Sequence, residues 1–238
     1  ILDGKNVLIS SPTGTGKTEA AVLPVASKIL MEGGAGIYAL YITPMRALNR
    51  DLLNRLEKFF GLLGLRVGVR HGDTPQRERR RQREEPPHML ITTPESLQFL
   101  LINKSMRRWL RSVKWVIIDE VHELVSDKRG IQLSLSLERL VNLAGDFQRI
   151  ALSASIGNLD LVAKYVGGAR PVQVISSLTV KEMQLSVRRP PEHPDPPGDM
   201  TPESYGRLHA LSELIRESGG VVLLFSNTRD TAELLGNR

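Results

Sequence analysis

The chain contains no cysteine among its 238 residues. Disulfide scaffolds and cysteine-based metal sites are therefore excluded. The five histidines lack the spacing of metal ligands, so we expect no structural metal. A cysteine-free sequence fits a reducing compartment, and the expected location is the cytoplasm.

Long apolar segments are also missing. No run approaches the roughly 18 residues that a membrane-spanning helix needs. The first residues, Ile1–Lys5, lack the basic, apolar and small-residue order of a signal peptide. We therefore expect no membrane partner, and this start is typical of the interior of a longer chain.

The excess of positive charge is modest. Lysine and arginine number 32 against 26 acidic residues, which gives a formal net charge of +6. Such an excess permits a polyanionic partner but does not require one. Hydrophobic residues make up 41% of the sequence, enough for a sizeable core, so a disordered chain is excluded.

Strand-like apolar runs alternate with amphipathic segments of helix length up to about residue 175. The predicted strands are Asn6–Ser10, Gly36–Thr43, Arg66–Arg70, His88–Thr92, Trp115–Asp119, Arg149–Ser153 and Val172–Ile175. The predicted helices include Arg46–Leu63, Pro94–Ile102, Gln132–Ala144 and Leu159–Val166. The alternation predicts an α/β fold with a parallel, doubly wound sheet, in which ligands bind beyond the carboxyl ends of the strands.

Prolines interrupt this pattern near the end of the sequence. They stand at positions 190, 191, 194, 196 and 197, which forbids regular helix or a central strand there. We interpret residues 188–205 as a linker after a first domain, residues 1–187, and residues 206–238 as the incomplete start of a second α/β domain. The elements predicted after the prolines are a helix (Glu203–Glu217), a strand (Gly220–Phe225) and a helix start (Thr228–Asn237).

The segment Ser11–Thr18, here called the phosphate loop, reads Ser-Pro-Thr-Gly-Thr-Gly-Lys-Thr between a predicted strand and helix. It differs from the pattern G-x-x-x-x-G-K-[ST] only at its first position. Glycines let successive backbone N–H groups face phosphate oxygens, and the next helix adds its positive N-terminal end. Lys17 can contact the β and γ phosphates, and the Thr18 hydroxyl can bind Mg²⁺.

We therefore predict a site for a nucleoside triphosphate and Mg²⁺. Because strand, loop and helix coincide, a glycine-rich turn with a solvated lysine is the weaker interpretation. The predicted binding residues are Pro12, Thr13, Gly14, Thr15, Gly16, Lys17 and Thr18.

Two acids, Asp119 and Glu120, follow the apolar run Trp115–Ile118. Such a run is typical of a buried central strand, so both carboxylates are expected at its exit. Asp119 suits the binding of Mg²⁺, and Glu120 can position or deprotonate the attacking water. An acidic pair after a strand is often only a solvated helix start, but the phosphate loop favours the catalytic interpretation. His122 on its own would more often be structural.

Together these motifs resemble the superfamily 2 helicases of the DExH type. The matching segments are Asp119–His122 (signature box), Ser11–Thr18 (phosphate loop), Thr43–Leu48 and Thr92–Leu97 (contacts to the nucleic-acid backbone), and Ser153–Ser155 (the Ser-Ala-Thr element, with serine at the third place). The resemblance implies a RecA-like motor domain that hydrolyses ATP with Mg²⁺. The implied catalytic residues are Lys17, Asp119, Glu120 and His122; the implied nucleic-acid contacts are Thr43, Pro44, Arg46, Thr93 and Pro94; the implied coupling residues are Ser153 and Ser155.

Within that superfamily the sequence is most similar to the large helicase-related (Lhr) group. The similarity rests on Asp119–Leu124, Lys128–Gly130 and Leu133–Leu140. Phe225–Arg229 resembles the first motif of the group's second motor domain and adds Asn227 and Thr228 as implied nucleic-acid contacts. The group is implied to be nucleoid-associated, to serve DNA repair, to move 3′ to 5′ on single-stranded DNA, and to unwind tailed duplexes or DNA–RNA hybrids. Its adenine-reading segment and arginine finger would lie outside this sequence, so we expect the fragment alone to be poorly active.

Weaker features each leave two interpretations open. The arginines of Arg77–Arg83, and those at positions 107, 108 and 111, form either a patch that contacts nucleic acid or a solvated mixed-charge surface, which is favoured. Trp109 and Trp115 are expected in the core rather than under stacked bases. His71–Asp73 predicts a turn, which similar helicases carry near the nucleic acid.

The sequence thus predicts an ATP hydrolase that acts as a nucleic-acid helicase or translocase, with DNA favoured. The alternatives are an RNA helicase of the DExH type, a nucleic-acid-binding or annealing module that uses ATP as a conformational ligand, and a DNA-independent P-loop ATPase. The intact Lys17, Asp119 and Glu120 argue against the binding module. The threonine-proline segments Thr43–Pro44 and Thr93–Pro94, at the ends of two predicted strands, have no purpose in the DNA-independent enzyme.

Overall fold

The computed structural model describes residues 1–33, 35–44, 46–154, 158–177, 184–198 and 200–236, with the backbone alone for residues 46–51 and 234. The chain divides into two compact units, Ile1–Lys181 (the first unit) and Glu182–Arg238 (the second unit). Each unit is described by itself below.

A parallel sheet forms the centre of the first unit. Its strands are β1 (Asn6–Ser10), β2 (Ala39–Ile42), β3 (Val67–Arg70), β4 (Met89–Thr92), β5 (Trp115–Ile118), β6 (Gln148–Ser153) and β7 (Val172–Ser176). Their order is β3-β4-β2-β5-β6-β1-β7, and every neighbouring pair is parallel. The predicted α/β class with a parallel, doubly wound sheet is confirmed.

In the first unit, helices connect the strands and cover both faces of the sheet. The helices of the two units together are α1 (Lys17–Ile29), α2 (Arg46–Leu62), α3 (Gln76–Glu84), α4 (Pro94–Ile102), α5 (Lys104–Leu110), α6 (Val121–Val125), α7 (Lys128–Ala144), α8 (Leu159–Gly167), α9 (Pro202–Glu217) and α10 (Arg229–Gly236). The last two belong to the second unit.

Alternating residues of the strands build two cores. On one face Leu40 and Ile42 of β2 pack in a cluster with residues of α4 to α8. On the other face Ala39 and Tyr41 pack in a cluster with residues of α1 and α2. Because strands covered on both faces need apolar side chains at every position, β2, β4 and β5 appear in the sequence as continuous apolar runs. This burial is the main favourable contribution to folding of the first unit.

In the second unit, α9 begins as the sequence indicates. The side chain of Thr201 caps the helix by accepting a hydrogen bond of 3.2 Å from the Ser204 N–H, and Pro202 is the first helical residue. Proline is favoured at this place because its missing N–H would have no intrahelical partner. Residues 184–198 contain neither helix nor strand, as the prolines predict.

The predicted strand Gly220–Phe225 is wrong. The structure has no strand at residues 220–226, and the side chains of Val221 and Phe225 are 93% and 90% exposed. A strand forms only when its N–H and C=O groups pair with a neighbouring strand. The described residues of the second unit contain no other strand with which this apolar segment could pair.

Within the described residues, no helix is both long and apolar enough to cross a membrane.

Candidate nucleotide and nucleic-acid site

The candidate residues lie along one edge of the sheet. In a parallel sheet all strands end at the same edge, so the order of strands fixes the order of the segments that follow them. From β4 to β1 this edge carries Thr93 after β4, Thr43 after β2, Asp119 after β5, Ser153 at the end of β6, and Ser11 after β1. The predicted nucleotide residues therefore occupy the half around β5, β6 and β1, and the predicted nucleic-acid residues of the first unit occupy the half around β4 and β2.

The phosphate loop has the backbone of an anion cradle. Gly14 and Gly16 adopt positive φ angles of 74° and 83°, which favour glycine. Gly16 is also the N-cap of α1, and no side chain caps that helix. Its first N–H groups are thus available to an anion at a helix end that is already positive. The loop fits a phosphate chain.

Hydrogen bonds inside the phosphate loop hold its shape. The Thr15 hydroxyl donates to the Pro12 carbonyl (2.8 Å) and lies 2.7 Å from the Ser11 hydroxyl. The ammonium group of Lys17 donates to the carbonyls of Ser11 (2.5 Å) and Pro12 (2.9 Å). These bonds keep the charge of Lys17 beside the loop, where phosphates are expected, while Thr13, Gly14, Thr15 and Gly16 remain exposed.

The two predicted Mg²⁺ ligands meet at Tyr41. The Tyr41 hydroxyl donates to Asp119 Oδ2 (2.5 Å), and it also hydrogen-bonds the side chain of Thr18. Burial, followed by the charge and the hydrogen bond of Asp119, raises the pKa of Tyr41 far above its ordinary value, so this phenol remains a donor. The other oxygen, Oδ1, accepts from the Glu120 N–H (2.9 Å). A carboxylate and a hydroxyl oxygen are the hard donors that Mg²⁺ prefers.

Sequence reasoning missed Tyr41. Its position two residues before Thr43, in an otherwise aliphatic strand, is the available signal, because a buried phenol needs a hydrogen-bond partner. The partner is 78 residues away and becomes a neighbour only through the pairing of β2 with β5.

Glu120 has an unusual backbone. Its φ of 46° makes it the one non-glycine residue with positive φ among the described residues. Such left-handed backbone costs about 1–3 kcal/mol and is found chiefly at functional sites. Burial and the neighbouring Asp119 raise the pKa of Glu120, and the charges of His122 and Lys17 oppose that rise. The structure thus places a carboxylate with elevated basicity close to Lys17, as a water-activating group requires.

His122 lies between the acids and the end of β6. Its Nδ1 is 3.5 Å from Glu120 Oε2 and 3.3 Å from the Ser153 hydroxyl. Ser153 is itself fully buried. His122 therefore connects Glu120 to one of the two predicted coupling residues. The other, Ser155, lies outside the described residues.

The threonine-proline segments Thr43–Pro44 and Thr93–Pro94 are buried at the strand ends. Thr93 caps α4, because its hydroxyl accepts from the Ser96 N–H (3.4 Å) and lies 3.1 Å from the Ser96 hydroxyl. The Thr43 N–H donates to the Thr92 carbonyl (3.0 Å), which joins the two segments through the backbone. The structure brings the segments together, and both threonine side chains are only 1% exposed.

The other predicted nucleic-acid contacts are Arg46, Asn227 and Thr228. Arg46 begins α2, but its side chain lies outside the described residues. Asn227 and Thr228 belong to the second unit, where Thr228 accepts a hydrogen bond from the Thr231 N–H (3.2 Å) at the start of α10.

The structure accounts for two of the weaker features, the turn at His71–Asp73 and the positions of the two tryptophans. Arg79, within Arg77–Arg83, donates to the carbonyls of His71 and Thr74 and so holds the turn after β3. Trp115 is 6% exposed and belongs to a core, and Trp109 packs against the other core, so their predicted positions are confirmed.

Among the described residues, no cluster of three or more His, Cys, Asp or Glu side chains could hold a metal ion.

Comparison with known proteins agrees with the site. Residues 1–162 match the family model of the DEAD/DEAH box helicases. The chain is 41% identical over 252 residues to the ATP-dependent helicase Lhr-Core protein 2 of Thermococcus barophilus, covering 97% of this chain and 29% of that protein. It is 36% identical to the Lhr helicase/uracil glycosylase of Escherichia coli, covering 98% of this chain and 17% of that protein.

A solved structure of Mycobacterium smegmatis helicase Lhr bound to ssDNA and AMP-PNP is also similar. It matches 99% of this chain and 32% of that chain, with a TM-score of 0.82 and 35% identity. The chain spans less than a third of the length of these relatives. The expected resemblance to the Lhr group is confirmed. By its phosphate loop, its carboxylate pair and the match over residues 1–162, this chain belongs to the DEAD/DEAH box helicase family.

Proposed function

We propose that this chain is the ATP-binding motor part of an ATP-dependent DNA helicase that moves 3′ to 5′ along single strands and unwinds tailed duplexes or DNA–RNA hybrids. The observation that carries the proposal is the arrangement of the sheet edge. Asp119 and Glu120, which follow β5, adjoin the Thr43–Pro44 segment after β2, since β5 and β2 are hydrogen-bonded neighbours, and Lys17 and Thr18 follow β1 farther along the same edge. A motor needs such adjacency to couple hydrolysis to movement.

The residues of the nucleotide half have distinct roles in this proposal. Lys17 exchanges its two carbonyl partners for the β and γ phosphates, because a charge-assisted bond to an anion is stronger than a bond to a neutral carbonyl. Thr18 and Asp119 would hold Mg²⁺, which would neutralise charge on the phosphates when bound. Glu120 orients the attacking water and accepts its proton, and His122 fixes the carboxylate against Ser153.

DNA is favoured as the nucleic acid by the similar Mycobacterium smegmatis Lhr, whose structure contains ssDNA. We further propose that the protein serves DNA repair and is located at the nucleoid, in the cytoplasm. Contacts from threonine-proline segments would go to phosphates and sugars, which position a strand without reading its sequence. A translocase requires such binding without sequence preference.

The deciding experiment measures ATP turnover by the full-length protein that carries this sequence. Turnover is measured alone, with single-stranded DNA and with RNA of the same length and sequence. We expect stimulation by DNA well above that by RNA. Equal rates with and without nucleic acid would indicate a DNA-independent ATPase, and binding of DNA and ATP without turnover would indicate an ATP-controlled binding module.

Direction and substrate need a second measurement. Strand displacement is followed on duplexes with a 3′ tail or a 5′ tail, and on a 3′-tailed DNA–RNA hybrid. We expect displacement from the 3′-tailed substrates only, with Glu120→Gln as the inactive control. Displacement from the 5′-tailed duplex alone would contradict the proposed direction.

A further inference from the structure

Arg129 connects the Thr43–Pro44 segment to Glu95, the residue that directly follows the Thr93–Pro94 segment. Its Nε donates to Glu95 Oε1 (2.5 Å), and its Nη2 donates to the Pro44 carbonyl (2.7 Å). Glu95 follows Pro94 in the first turn of α4, and Pro44 follows β2. One guanidinium group therefore holds the side chain next to one segment and the backbone of the other. Its planar fork is suited to two simultaneous bonds of this kind.

The place of Arg129 in its own helix does not explain it. Lys128 and Arg129 are the first residues of α7, whose first turn contains no acid, although the N-cap residue Asp127 and Glu123 of α6 place negative charge near Arg129. The N-terminal end of a helix disfavours cations because the helix dipole is positive there. The ion pair is also a weak source of stability, since the side chains of Arg129 and Glu95 are 37% and 33% exposed. A lysine could also answer the nearby charges, so the two directed bonds of the arginine point to a further requirement at this position.

The charge of Glu95 suggests that requirement. This carboxylate lies next to Thr93, where a phosphate of the nucleic acid would pass, and like charges repel. Burial alone would raise the pKa of Glu95, but the hydrogen bond from Arg129 outweighs it together with smaller contributions from the Glu95 backbone N–H, from Thr93 and from the charge of Arg129, so the pKa is lowered and the group stays ionised. Arg129 neutralises this charge and at the same time fixes the segment next to it.

The start of α7 is also packed tightly against α6, the short helix that follows Glu120. A Cβ atom added to Gly130 would lie 1.8 Å from the Leu124 carbonyl oxygen. The Tyr165 hydroxyl donates to the Gly130 carbonyl (2.8 Å) and holds this turn from the side of α8. Arg129 is thus anchored on a turn in direct contact with the helix that leads from the carboxylate pair.

We propose that Arg129 is a positioning residue for nucleic-acid binding, which fixes the two threonine-proline segments relative to each other and neutralises Glu95 beside the phosphate path. The inference rests on the proposed function, because it assumes that these segments receive the strand. It assigns to Arg129 no contact with the nucleic acid itself and no part in the binding of ATP.

The test uses single-stranded DNA and the full-length protein, with variants that separate charge, geometry and fold. Arg129→Met removes both bonds, Arg129→Lys keeps the charge but loses the fork, and Glu95→Gln removes the charge that needs neutralising. The matched control is Arg139→Met, an exposed arginine on the same helix for which the structure shows no ion pair among the described residues. The measurements are DNA affinity, ATP turnover without DNA, and the midpoint of thermal unfolding.

We expect Arg129→Met to weaken DNA binding by about 10-fold, Arg129→Lys to weaken it less, and Arg139→Met to leave it within about twofold. Turnover without DNA and the unfolding midpoint should stay close to those of the unmodified protein. Glu95→Gln alone should change affinity little, yet it should restore part of the affinity when added to Arg129→Met. This dependence on background is the mark of a pair that acts together.

Other outcomes overturn the inference. If Glu95→Gln strengthens binding by the same factor in both backgrounds, Arg129 acts independently of Glu95. If Arg129→Met lowers turnover without DNA and the unfolding midpoint together with DNA affinity, its role is general stability. If the unmodified protein fails to bind single-stranded DNA, the proposed function fails first. A protein that binds DNA but is indifferent to Arg129→Met refutes this inference alone.

Discussion

The phosphate loop and the threonine-proline segments lie along the same sheet edge but are held in different ways. The loop is exposed between Thr13 and Gly16, and its bonds are local. The threonine-proline segments are buried and are held by partners distant in sequence, such as Arg129. The loop therefore presents its recognition groups directly, whereas the hydroxyl of Thr93 is already used to cap α4. Variants in one half of the edge should therefore change ATP binding or turnover, and variants in the other half should change DNA affinity.

The largest separation is expected from Glu120→Gln. The amide keeps the shape of the side chain but cannot accept a proton, so turnover by the full-length protein should fall by about 10²-fold or more. Binding of Mg-ATP and of single-stranded DNA should survive. Rapid-quench turnover and DNA titrations measure both halves, and near-normal turnover would show that Glu120 is not the water-activating group.

Lys17→Ala should damage the nucleotide half alone. It removes a charge that faces the phosphates, and a charged hydrogen bond of 1.5–3 kcal/mol corresponds to roughly 10- to 100-fold in Mg-ATP affinity. The variant also removes one hydrogen bond from each of the Ser11 and Pro12 carbonyls, and because Ser11 is buried, a small loss of stability should accompany the loss of affinity. Calorimetric titration measures the affinity. An equal loss of DNA affinity without nucleotide would contradict the division into halves.

Arg46→Ala and Thr93→Ala should damage the nucleic-acid half alone. We expect each to weaken single-strand binding by about 10-fold on unrelated sequences, with ATP affinity unchanged in the absence of DNA. Loss of Arg46 should also reduce the salt slope of binding by up to about one, as for a direct phosphate contact. Titration of labelled oligonucleotides over a range of salt tests this.

Thr93→Ser separates two explanations for Thr93. Serine keeps the cap of α4, whereas alanine loses about 1 kcal/mol of stability with it. If Thr93→Ser binds DNA normally, the hydroxyl acts through the cap or through a contact that serine can replace. Unchanged binding in both Thr93→Ala and Arg46→Ala, or a loss confined to one sequence, would sink the assignment of this half.

Local signals account for what the sequence predicted well. The bounds of α4, Pro94–Ile102, follow from a threonine cap before a proline, and β1 ends where the phosphate loop begins. Strand β2 was predicted from Gly36 but begins at Ala39, because an apolar run shows burial and not where strand pairing begins. The nucleotide residues were found because their motifs are contiguous in sequence.

Tyr41 and Arg129 were missed for the opposite reason. Tyr41 meets Asp119 from 78 positions away, and Arg129 meets Pro44 from 85 positions away. Only the order of strands and the packing of α7 bring these groups together. The same dependence on neighbours explains why the strand predicted at residues 220–225 does not form. This segment has the apolar sequence of a strand but no strand to pair with among the described residues of its unit.

The smallest expected effect tests the boundary between the two halves. Tyr41 belongs to β2, the strand that leads to Thr43, yet its hydroxyl binds Asp119 on the nucleotide half. Tyr41→Phe removes this bond while keeping the buried ring. We expect Asp119 to be held less firmly, so that the Mg²⁺ concentration for half-maximal turnover rises by a few-fold. This lies below the roughly 10- to 100-fold seen for outer-shell partners of metal ligands, because Mg²⁺ is bound largely through phosphates and water.

Tyr38→Phe is the matched control for that variant. The Tyr38 hydroxyl donates to the Gly33 carbonyl (2.7 Å), so this change also removes one phenolic hydrogen bond, but far from Asp119. Tyr38→Phe should lose about 1 kcal/mol of stability and Tyr41→Phe about 1.5–3 kcal/mol, because the acceptor of Tyr41 is charged, and only Tyr41→Phe should raise the Mg²⁺ requirement. A rise in both would trace the effect to general loosening of the fold. A loss of DNA affinity in Tyr41→Phe, measured without nucleotide, would mean that β2 transmits changes from Asp119 to Thr43 and that the two halves of the edge are one unit.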